Sequence, residues 1–448
     1  MTIAAKLKYA LSAIVFLISS HANAQNPLVT NQYSADPTAR VFDNKIYVYP
    51  SHDILAAPGK GRAGWFVMED YHVFSSENLT NWTDHGMIVT QNKVPWVKPD
   101  SYSMWAPDCV FRNGKYYFYF PSTPTDTSYG RGFAIGVAVG DKPSGPFVTQ
   151  PTPIKGVHGI DPNVLIDKDG QAYLYYSQGN LYVAKLKDNM LELASEPKII
   201  DNLPTKGLKE GPFVFERNGI YYLTYPHVEG KTEQLEYATG DNPMGPFKVT
   251  GVIMDESAEC WTNHHSILPY KGQWYLFYHH NDLSPNFDKA RSIRADSLSF
   301  NGDGTIKKVN PTLRGIGVTS ANSNIQIDRY SAIDGKSATI DFIDTLDRFK
   351  GWKTVFNANE GWVKYNSVDF GKKPLKTITV KALSEKGGTL LVHADNANGP
   401  VLAKVNIPAG DNWQDTKVPV LKSLQGIHHL YIIAEGSNVV EANWLRFE

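Results

Sequence analysis

Short runs of apolar and aromatic residues, each preceded by a tight turn, recur along the first two-thirds of the chain. Each turn contains Asn or Gly, and each run is rich in Tyr, Phe, Leu or Val without regular in–out alternation. The five copies span residues 42–49, 112–119, 168–175, 217–224 and 270–277. An Asn-Gly or Asp-Gly turn between apolar runs is a strong hairpin signal, and continuously apolar runs are typical of strands buried on both faces.

The spacing of these hairpins predicts a repeat architecture. The turn residues at positions 44, 114, 170, 219 and 272 recur at intervals of roughly fifty residues or more, which leaves room for about four short strands in each repeat. Four-stranded sheets packed radially form a β-propeller. The sequence therefore predicts an all-β fold with a five-bladed β-propeller over residues 25–319. Chance recurrence of a common hairpin is the alternative.

The pattern changes near residue 320. Alternating segments at 377–380 and 390–393 and a late apolar run at 430–433 are separated by Gly-rich turns. Such short alternating strands are typical of a β-sandwich. We therefore expect a second, jelly-roll-like β-sandwich domain over residues 320–448.

The first 24 residues have the features of an export signal. Lys6 and Lys8 precede the apolar stretch 10–17, and Ala22-Asn23-Ala24 forms a small-residue cleavage site. A membrane anchor is the alternative, but the apolar stretch is shorter than the roughly 20 residues that span a bilayer. We expect a signal peptide at residues 1–24, a secreted or periplasmic mature protein, and no membrane span.

Composition narrows the classes of function. Lys and Arg together number 44 against 45 Asp and Glu, so the chain lacks the basic excess that nucleic-acid binders usually carry. Aromatic residues make up 12% of the chain, which suits a surface that stacks on sugars. Cys109 and Cys260 lie in different repeats, so we expect two free, buried thiols and no disulfide framework.

Short polar residues stand just before the predicted hairpins, at equivalent positions of the repeats. In a propeller the innermost strand of each blade lines the central channel, and these segments belong to that strand. They are Ser34-Ala35-Asp36-Pro37, Trp105-Ala106-Pro107-Asp108, Gly159-Ile160-Asp161-Pro162, Lys209-Glu210-Gly211-Pro212 and Asn263-His264-His265-Ser266. An Asp-Pro pair alone is commonly a turn or cap. Several carboxylates around one cavity raise each other's pKa values, an arrangement that suits the acid–base pair of a glycosidase.

The ordered set of five motifs resembles glycoside hydrolase family 43 across the predicted blades. The resemblance implies an inverting, exo-acting hydrolase that releases α-L-arabinofuranose or β-D-xylose from plant hemicellulose or pectin glycans. It implies Asp36 as the general base, Glu210 as the general acid, and Asp161 as the carboxylate that orients the acid and raises its pKa. Plant cell-wall polysaccharides or oligosaccharides are the expected partners.

The resemblance also suggests roles for residues beyond the three carboxylates. Trp105 is expected to offer an apolar platform to a sugar, with core packing as the alternative. Arg291 is expected to hydrogen-bond substrate and the acid, with a surface salt bridge as the alternative, and Arg294 lies close enough to be confused with it. His264 resembles a channel histidine facing a structural calcium ion, with a hydrogen-bonded core histidine as the alternative; no cofactor is expected to be required. Asp108 is interpreted as structural, bonding inside its own blade.

The C-terminal segment resembles a family 6 carbohydrate-binding module through its Gly-Trp-Val-Lys-Tyr motif at 361–365 and its late Asn443-Trp444 pair. Glu441 stands where that family often has a ligand-binding Asn. Trp413 is either a stacking residue or a core anchor. A module that only stabilises the propeller is therefore the alternative to one that binds glycan.

Three other functions compete with the exo-acting hydrolase. An endo-arabinanase-type hydrolase would share its acid and base. A non-catalytic glycan-binding propeller would need neither. A retaining enzyme would use a carboxylate nucleophile about 5–5.5 Å from its acid. The long excursion at residues 53–70, with Trp65 and Phe66, is expected to shape the rim of the pocket, and a closed rim favours exo action.

Overall fold

The structure is a computed structural model that describes residues 25–130, 132–357 and 359–448. The predicted signal peptide at residues 1–24 lies outside the described residues. All regular structure in the described part is β, apart from 3-10 turns at Gln91–Lys93, Thr127–Tyr129 and Arg348–Lys350. No helix in this part is long and apolar enough to cross a membrane.

The first domain consists of antiparallel sheets that follow one another along the described chain. The first sheet is β1 (Ala35–Phe42), β2 (Lys45–Asp53), β3 (Met68–Ser76) and β4 (Thr83–Thr90). The second is β5 (Asp108–Arg112), β6 (Lys115–Ser122), β7 (Ala134–Gly140) and β8 (Phe147–Thr149). The third is β9 (Ile160–Ile166), β10 (Ala172–Ser177), β11 (Leu181–Lys185) and β12 (Lys198–Ile199). The fourth is β13 (Phe213–Arg217), β14 (Ile220–Val228), β15 (Glu233–Gly240) and β16 (Lys248–Met254), and the fifth is β17 (Ser266–Tyr270), β18 (Gln273–His280) and β19 (Ser292–Leu298).

The predicted hairpins form the first two strands of each sheet, as expected. The first strands contact one another in the cyclic order β1, β5, β9, β13, β17 and back to β1. The sheets therefore close into a ring with these strands at its centre, and the predicted all-β propeller class is confirmed. Aromatic side chains fill the layers between adjacent sheets, such as Tyr49 and Phe118 between the first and second.

The N-terminal segment completes the fifth sheet, which has three strands of its own. Leu28 N–H donates to the Ile293 carbonyl and Ser34 N–H to the Arg291 carbonyl, both at 2.9 Å. The Asn26 amide exchanges two hydrogen bonds with the backbone of Ala295. The beginning and the end of the ring are thereby joined along β19.

Short polar side chains tie neighbouring inner strands together. Thr38 donates to the Pro107 carbonyl at 2.7 Å, and Ser266 donates to the Pro37 carbonyl at 2.7 Å. Asn163 accepts from Val214 N–H at 2.8 Å. Because buried polar groups without partners are costly, these bonds explain why short polar residues recur at the centre of the ring.

Asp108 belongs to the same set of ties, and it has partners beyond its own blade. Its carboxylate is fully buried and accepts from Arg40 of the first sheet at 2.6 and 2.9 Å, and from Val164 N–H of the third at 2.7 Å. The interpretation as structural agrees with these contacts. One expected bond inside the blade is present, since Cys109 N–H donates to the carboxylate at 2.6 Å. The further bonds to neighbouring sheets arise because Asp108 stands at the start of β5, where strands from both of them converge.

The second domain is a β-sandwich of two sheets. Its strands are β20 (Thr319–Ser320), β21 (Ile325–Gln326), β22 (Ala332–Ile333), β23 (Ala338–Phe342), β24 (Trp352–Phe356), β25 (Trp362–Asp369), β26 (Thr377–Leu383), β27 (Gly388–Ala394), β28 (Val401–Ile407), β29 (Gln414–Pro419), β30 (Ile427–Glu435) and β31 (Val440–Phe447). One sheet has the order β20-β25-β30-β27-β28, with β22 beside β25, and the other β23-β24-β31-β26-β29, with β21 beside β31. The three predicted strand segments lie in β26, β27 and β30, and the apolar core lies between the sheets.

Arginines join the two domains. Arg314 Nε donates to the Asn366 carbonyl at 3.0 Å. Arg329 Nη1 donates to the Asn26 carbonyl at 3.1 Å, and its guanidinium lies 3.9 Å from the centre of the Trp352 ring. The module therefore contacts the segment that closes the propeller ring.

Candidate active site

The residues expected to carry the chemistry line one cavity of about 40 Å³ at the centre of the propeller. They come from segments that are far apart in sequence and meet where the inner strands begin. The cavity brings together Asp36, Trp105, Asp161, Glu210, His264 and Arg291.

Asp36 is fixed by an irregularity at the start of β1. The pairing register of β1 and β2 shifts between Ala35 and Thr38, and Asp36 has a φ of 49°. Such a bulge re-aims a side chain. The Asp36 carboxylate accepts from Ser51 at 2.7 Å and from both terminal nitrogens of Arg291 at 2.7 and 3.2 Å.

Asp161 repeats this local design in the third sheet. It has a φ of 58° beside a register shift in the β9–β10 pair, and its carboxylate accepts from Ser177 at 3.1 Å. It also accepts from Gly211 N–H at 2.9 Å. Asp161 is thus anchored to the backbone directly after Glu210.

Gly211 allows the backbone next to Glu210 to lie close to the His264 side chain. Its φ is 53°, and a Cβ there would lie 2.9 Å from His264 Nδ1. A larger residue would displace the imidazole or the segment that carries Glu210. Glycine is therefore required for Glu210 and His264 to face the same cavity.

Arg291 has partners other than the expected acid. It is 3% exposed, so it is not a surface salt bridge. Beyond its two bonds to Asp36, Nε and Nη2 donate to Asp53 at 2.9 and 3.0 Å, and Nη1 reaches Thr262 at 3.4 Å. The five N–H groups of a guanidinium are thereby used, which ties Arg291 to the expected base instead of the acid. Arg294 is distinct, because it pairs with Asp282.

The pKa values of the two expected catalytic carboxyls move in opposite directions. Burial is the largest single influence and raises the pKa of Asp36, but Arg291, the neighbouring histidines His279 and His264, and the hydrogen bond from Ser51 together outweigh it and hold this pKa below its usual value. Burial, reinforced by the negative charge of Asp36, raises the pKa of Glu210 to about 7. Below about pH 7 the site therefore holds one ionised carboxylate and one carboxyl that keeps its proton. Burial and the neighbouring Glu210 also raise the pKa of Asp161 well above its usual range.

Aromatic side chains form one wall of the cavity. The Trp105 ring is half-buried, lies 4.6 Å from the Phe133 ring, and also borders the cavity. Phe66, from the 53–70 excursion, stacks on Trp261 at 6.1 Å. Trp105 thus packs against other rings and also borders the space where a sugar would lie.

His264 is the residue expected to face a metal ion. Burial lowers its pKa, so the imidazole is neutral and could face an ion. Among the described residues, the group of His, Cys, Asp and Glu with metal-like spacing is His52, Asp70 and His72, which lacks His264. Calcium takes six to eight oxygen ligands, so waters would have to supply most of them. Calcium remains a prediction, and no chemical step is assigned to it.

Sequence reasoning missed three residues around this cavity. Asp53 is the second partner of Arg291, Trp261 stacks on Phe66, and His279 Nδ1 accepts from Asp36 N–H at 3.1 Å. His279 lies one residue before the end of β18 and Asp53 ends β2, and these strands are paired with the channel-lining strands. Polar residues at the ends of these second strands were the signal that could have identified them.

The chain matches known protein families in both domains. Residues 24–306 match Glycosyl hydrolases family 43, and residues 332–448 match Carbohydrate binding module (family 6). A xylosidase/arabinosidase 43A from Humicola insolens is 38% identical over 64% of this chain and 99% of its own length. A xylosidase/arabinosidase from Bacteroides ovatus is 37% identical over 62% of this chain and 95% of its own. The solved structure of a β-xylosidase/α-arabinofuranosidase from a compost microbial metagenome is 37% identical, with a TM-score of 0.57, over 64% of this chain and 98% of that one.

Proposed function

The chain belongs to glycosyl hydrolases family 43 and is a glycosidase, and on that premise we propose an inverting mechanism that releases single pentoses. The observation that carries the acid–base assignment is the opposite displacement of the Asp36 and Glu210 pKa values within one cavity, and inversion is proposed on the resemblance to family 43. A glycosidase needs one ionised and one protonated carboxyl on either side of the bond that it cleaves.

The proposed reaction uses Asp36 and Glu210 in one displacement. Asp36 accepts a proton from water, and the water oxygen bonds to the anomeric carbon on the face opposite the leaving group. As the glycosidic carbon–oxygen bond breaks, Glu210 gives its proton to the departing oxygen. Each carboxyl ends in the protonation state opposite to its starting one, and exchange with solvent restores both.

Two neighbours support these roles. Arg291 keeps Asp36 ionised by donating to its carboxylate. Asp53 accepts a hydrogen bond from the Arg291 backbone N–H, which holds Arg291, and with it Asp36, in a fixed orientation. We assign Asp161 to orienting the acid, since its carboxylate holds Gly211 N–H directly after Glu210. The guanidinium N–H groups of Arg291 already donate to carboxylates and to Thr262. The expected hydrogen bond from Arg291 to the substrate therefore stays a proposal.

We propose β-xylosides and α-L-arabinofuranosides of plant hemicellulose or pectin as substrates. The similarity to enzymes named xylosidase/arabinosidase supports this choice of sugars. The small cavity, with Phe66 and Trp105 in its wall, favours a single terminal sugar over the middle of a chain. Trp105 is proposed as the apolar platform for that sugar.

The C-terminal module is proposed to hold the enzyme near its polysaccharide. Glu441 replaces the ligand-binding Asn of the usual cleft, and its pairing argues for a glycan surface elsewhere on the module. This side chain is engaged with Lys353 at 2.7 Å, so it is less available to a ligand. Secretion after cleavage of residues 1–24 is proposed on the sequence pattern alone.

The test measures release of aryl leaving groups from aryl β-D-xylosides and aryl α-L-arabinofuranosides. Asp36→Asn should lower kcat by about 10²–10⁴-fold with every leaving group, since water activation is always required. For Glu210→Gln, kcat should fall as much on substrates with a poor leaving group. It should fall far less on dinitrophenyl substrates, whose leaving group departs without a proton. Glu236→Gln, which replaces a buried glutamate on β15 paired with His227, is the matched control and should retain activity. Full activity of Glu210→Gln on natural xylo-oligosaccharides would refute the assignment, and wild-type activity only on internal bonds of long arabinan would favour the endo-acting alternative.

A further inference from the structure

A second glutamate lies beside the proposed acid and has no role in the mechanism above. We propose that Glu233 is a positioning residue whose carboxyl group donates a hydrogen bond to Glu210 and holds the acid in its reactive orientation. This inference rests on the proposed function, because it assumes that Glu210 protonates the leaving group.

Glu233 is rigidly placed by its surroundings. It begins β15, is 1% exposed, and its backbone N–H donates to the Trp261 carbonyl at 3.0 Å. Its side-chain Oε2 accepts from Asn263 N–H at 2.5 Å. One carboxyl oxygen is therefore anchored to the backbone of the segment that carries His264.

The other oxygen of Glu233 determines where its proton lies. Oε1 is buried and has no assigned hydrogen-bond partner among the described residues, and the Glu233 side chain is in hydrogen-bond contact with the carboxyl of Glu210. Two carboxyl groups in contact need a proton between them. Because Oε2 already accepts an N–H, we place that proton on Oε1, from which it is donated to Glu210.

The electrostatic surroundings agree with this placement. Burial, with the negative charge of Glu210 next in size, raises the pKa of Glu233 well above its usual range. The hydrogen bond from Glu233 lowers the pKa of Glu210, although burial and Asp36 still leave it near 7. Because Glu210 directs its own proton at the leaving group in the proposed reaction, the proton between the two carboxyls is assigned to Glu233. The other titratable or charged groups that act on this pair are Asp36, Asp161, Cys260 and Arg291.

The hydrogen bond has a consequence for the reaction. When Glu210 gives up its proton, it becomes a carboxylate in a buried site, where an unpaired charge is costly. A fixed donor aimed at this carboxylate stabilises the charge that develops on it. Glu233 would thus act on kcat through Glu210 without touching the substrate.

Two substitutions separate the proposal from a merely structural role. In Glu233→Gln the amide can still donate to Glu210 and accept from Asn263, so kcat should stay within about threefold of wild type. In Glu233→Leu the donor is lost, so kcat on substrates with poor leaving groups should fall about tenfold or more with little change in KM. The alkaline limb of its pH profile should move to higher pH, because the bond that lowers the Glu210 pKa is gone. A dinitrophenyl substrate should restore most of the lost rate.

The matched control is Glu236→Gln on the same strand. Glu236 is similarly buried but hydrogen-bonds His227 and Gln234, so its replacement should leave the alkaline limb in place. Equal losses in Glu233→Gln and Glu233→Leu, or an unmoved limb in Glu233→Leu, would overturn the proposal.

An infrared measurement tests the proton without relying on catalysis. Beyond the bands of other protonated carboxyls such as Asp161, the wild-type spectrum at pH 7.5 should contain a carbonyl band of a protonated, buried carboxylic acid that is absent from Glu233→Gln. Persistence of that band in the variant would refute the proposal even if Glu233→Leu failed to fold. If the band behaves as expected but wild type hydrolyses no pentoside, the proposed function fails while the placement of the Glu233 proton stands.

Discussion

In this site, residues of the same chemical type behave differently because their immediate neighbours differ. Asp36 and Glu210 are both carboxylic acids that border the same cavity. Contact with Arg291 lowers the pKa of the first, whereas burial raises the pKa of the second. This separation, more than the presence of carboxylates, makes an acid–base pair.

The pH dependence of kcat/KM follows from these directions. The base must be ionised and the acid protonated, so activity should fall as pH rises through about 7, the pKa of Glu210. On the acid side, activity should persist until the pH falls below about 3.8, because the Asp36 pKa lies under that usual value. Initial rates on an aryl pentoside over a range of pH values at which the protein stays folded test this. An alkaline limb two or more pH units above 7 would contradict the assignment of Glu210.

Replacing Arg291 should move the acid limb of the pH profile of kcat/KM. Arg291→Gln removes the positive charge that lowers the pKa of Asp36, so the acid limb should shift to higher pH. It also leaves Asp36 and Asp53 without their buried partner, which should destabilise the fold by about 3–5 kcal/mol. Arg294→Gln is the matched control, since Arg294 is also buried and paired with Asp282. Its stability should fall similarly, whereas its acid limb should stay where it is in wild type.

At the level of elements, the hairpins and their order could be predicted from sequence because turn chemistry and apolar runs are local signals. The sequence also identified Asp36, Asp161 and Glu210 as candidates, since they occupy equivalent places before those hairpins. It could not identify Asp53 as a partner of Arg291, because 238 positions separate them and only ring closure brings them together. The sequence separated Asp108 from the cavity carboxylates as structural, but it could not identify Arg40 and Val164 as partners, because they come from two other sheets.

Asp108 gives a prediction about the inner strands. Asp108→Ala leaves Arg40 without its carboxylate partner and Val164 N–H without its acceptor. The free energy of unfolding should therefore fall by about 3–5 kcal/mol. Asp188→Ala is the control: Asp188 pairs with Arg112, and its side chain is 94% exposed, so stability should change by less than about 1 kcal/mol. Chemical denaturation of both variants provides the comparison. Equal stabilities would show that the tie between inner strands contributes little.

At the scale of the whole molecule, the module and the propeller are joined where the ring closes. Arg329 contacts the Asn26 carbonyl and Trp352, while Asn26 is bonded to β19. Two interpretations of the module, glycan binding and stabilisation of the propeller, remained open from the sequence. The interface supports a stabilising contribution.

Arg329→Ala tests that contribution. Loss of its hydrogen bond and its stacking on Trp352 should lower the Tm by several degrees, with kcat on small aryl substrates unchanged below the transition. Arg446→Ala, at an exposed pair with Glu448 in the same domain, should leave the Tm nearly unchanged. A Tm for Arg329→Ala equal to wild type would mean that this contact does not couple the domains.

The stereochemistry of the first product tests the central claim most directly. Proton NMR in the first minutes of hydrolysis of an aryl β-D-xyloside, or of an aryl α-L-arabinofuranoside if that is the sugar accepted, identifies the anomer before it equilibrates in water. With Asp36 as a base that activates water and Glu210 as the acid, the first product should have the inverted configuration, α-xylose from the β-xyloside. Release of the retained anomer would make Asp36 a nucleophile and contradict the mechanism.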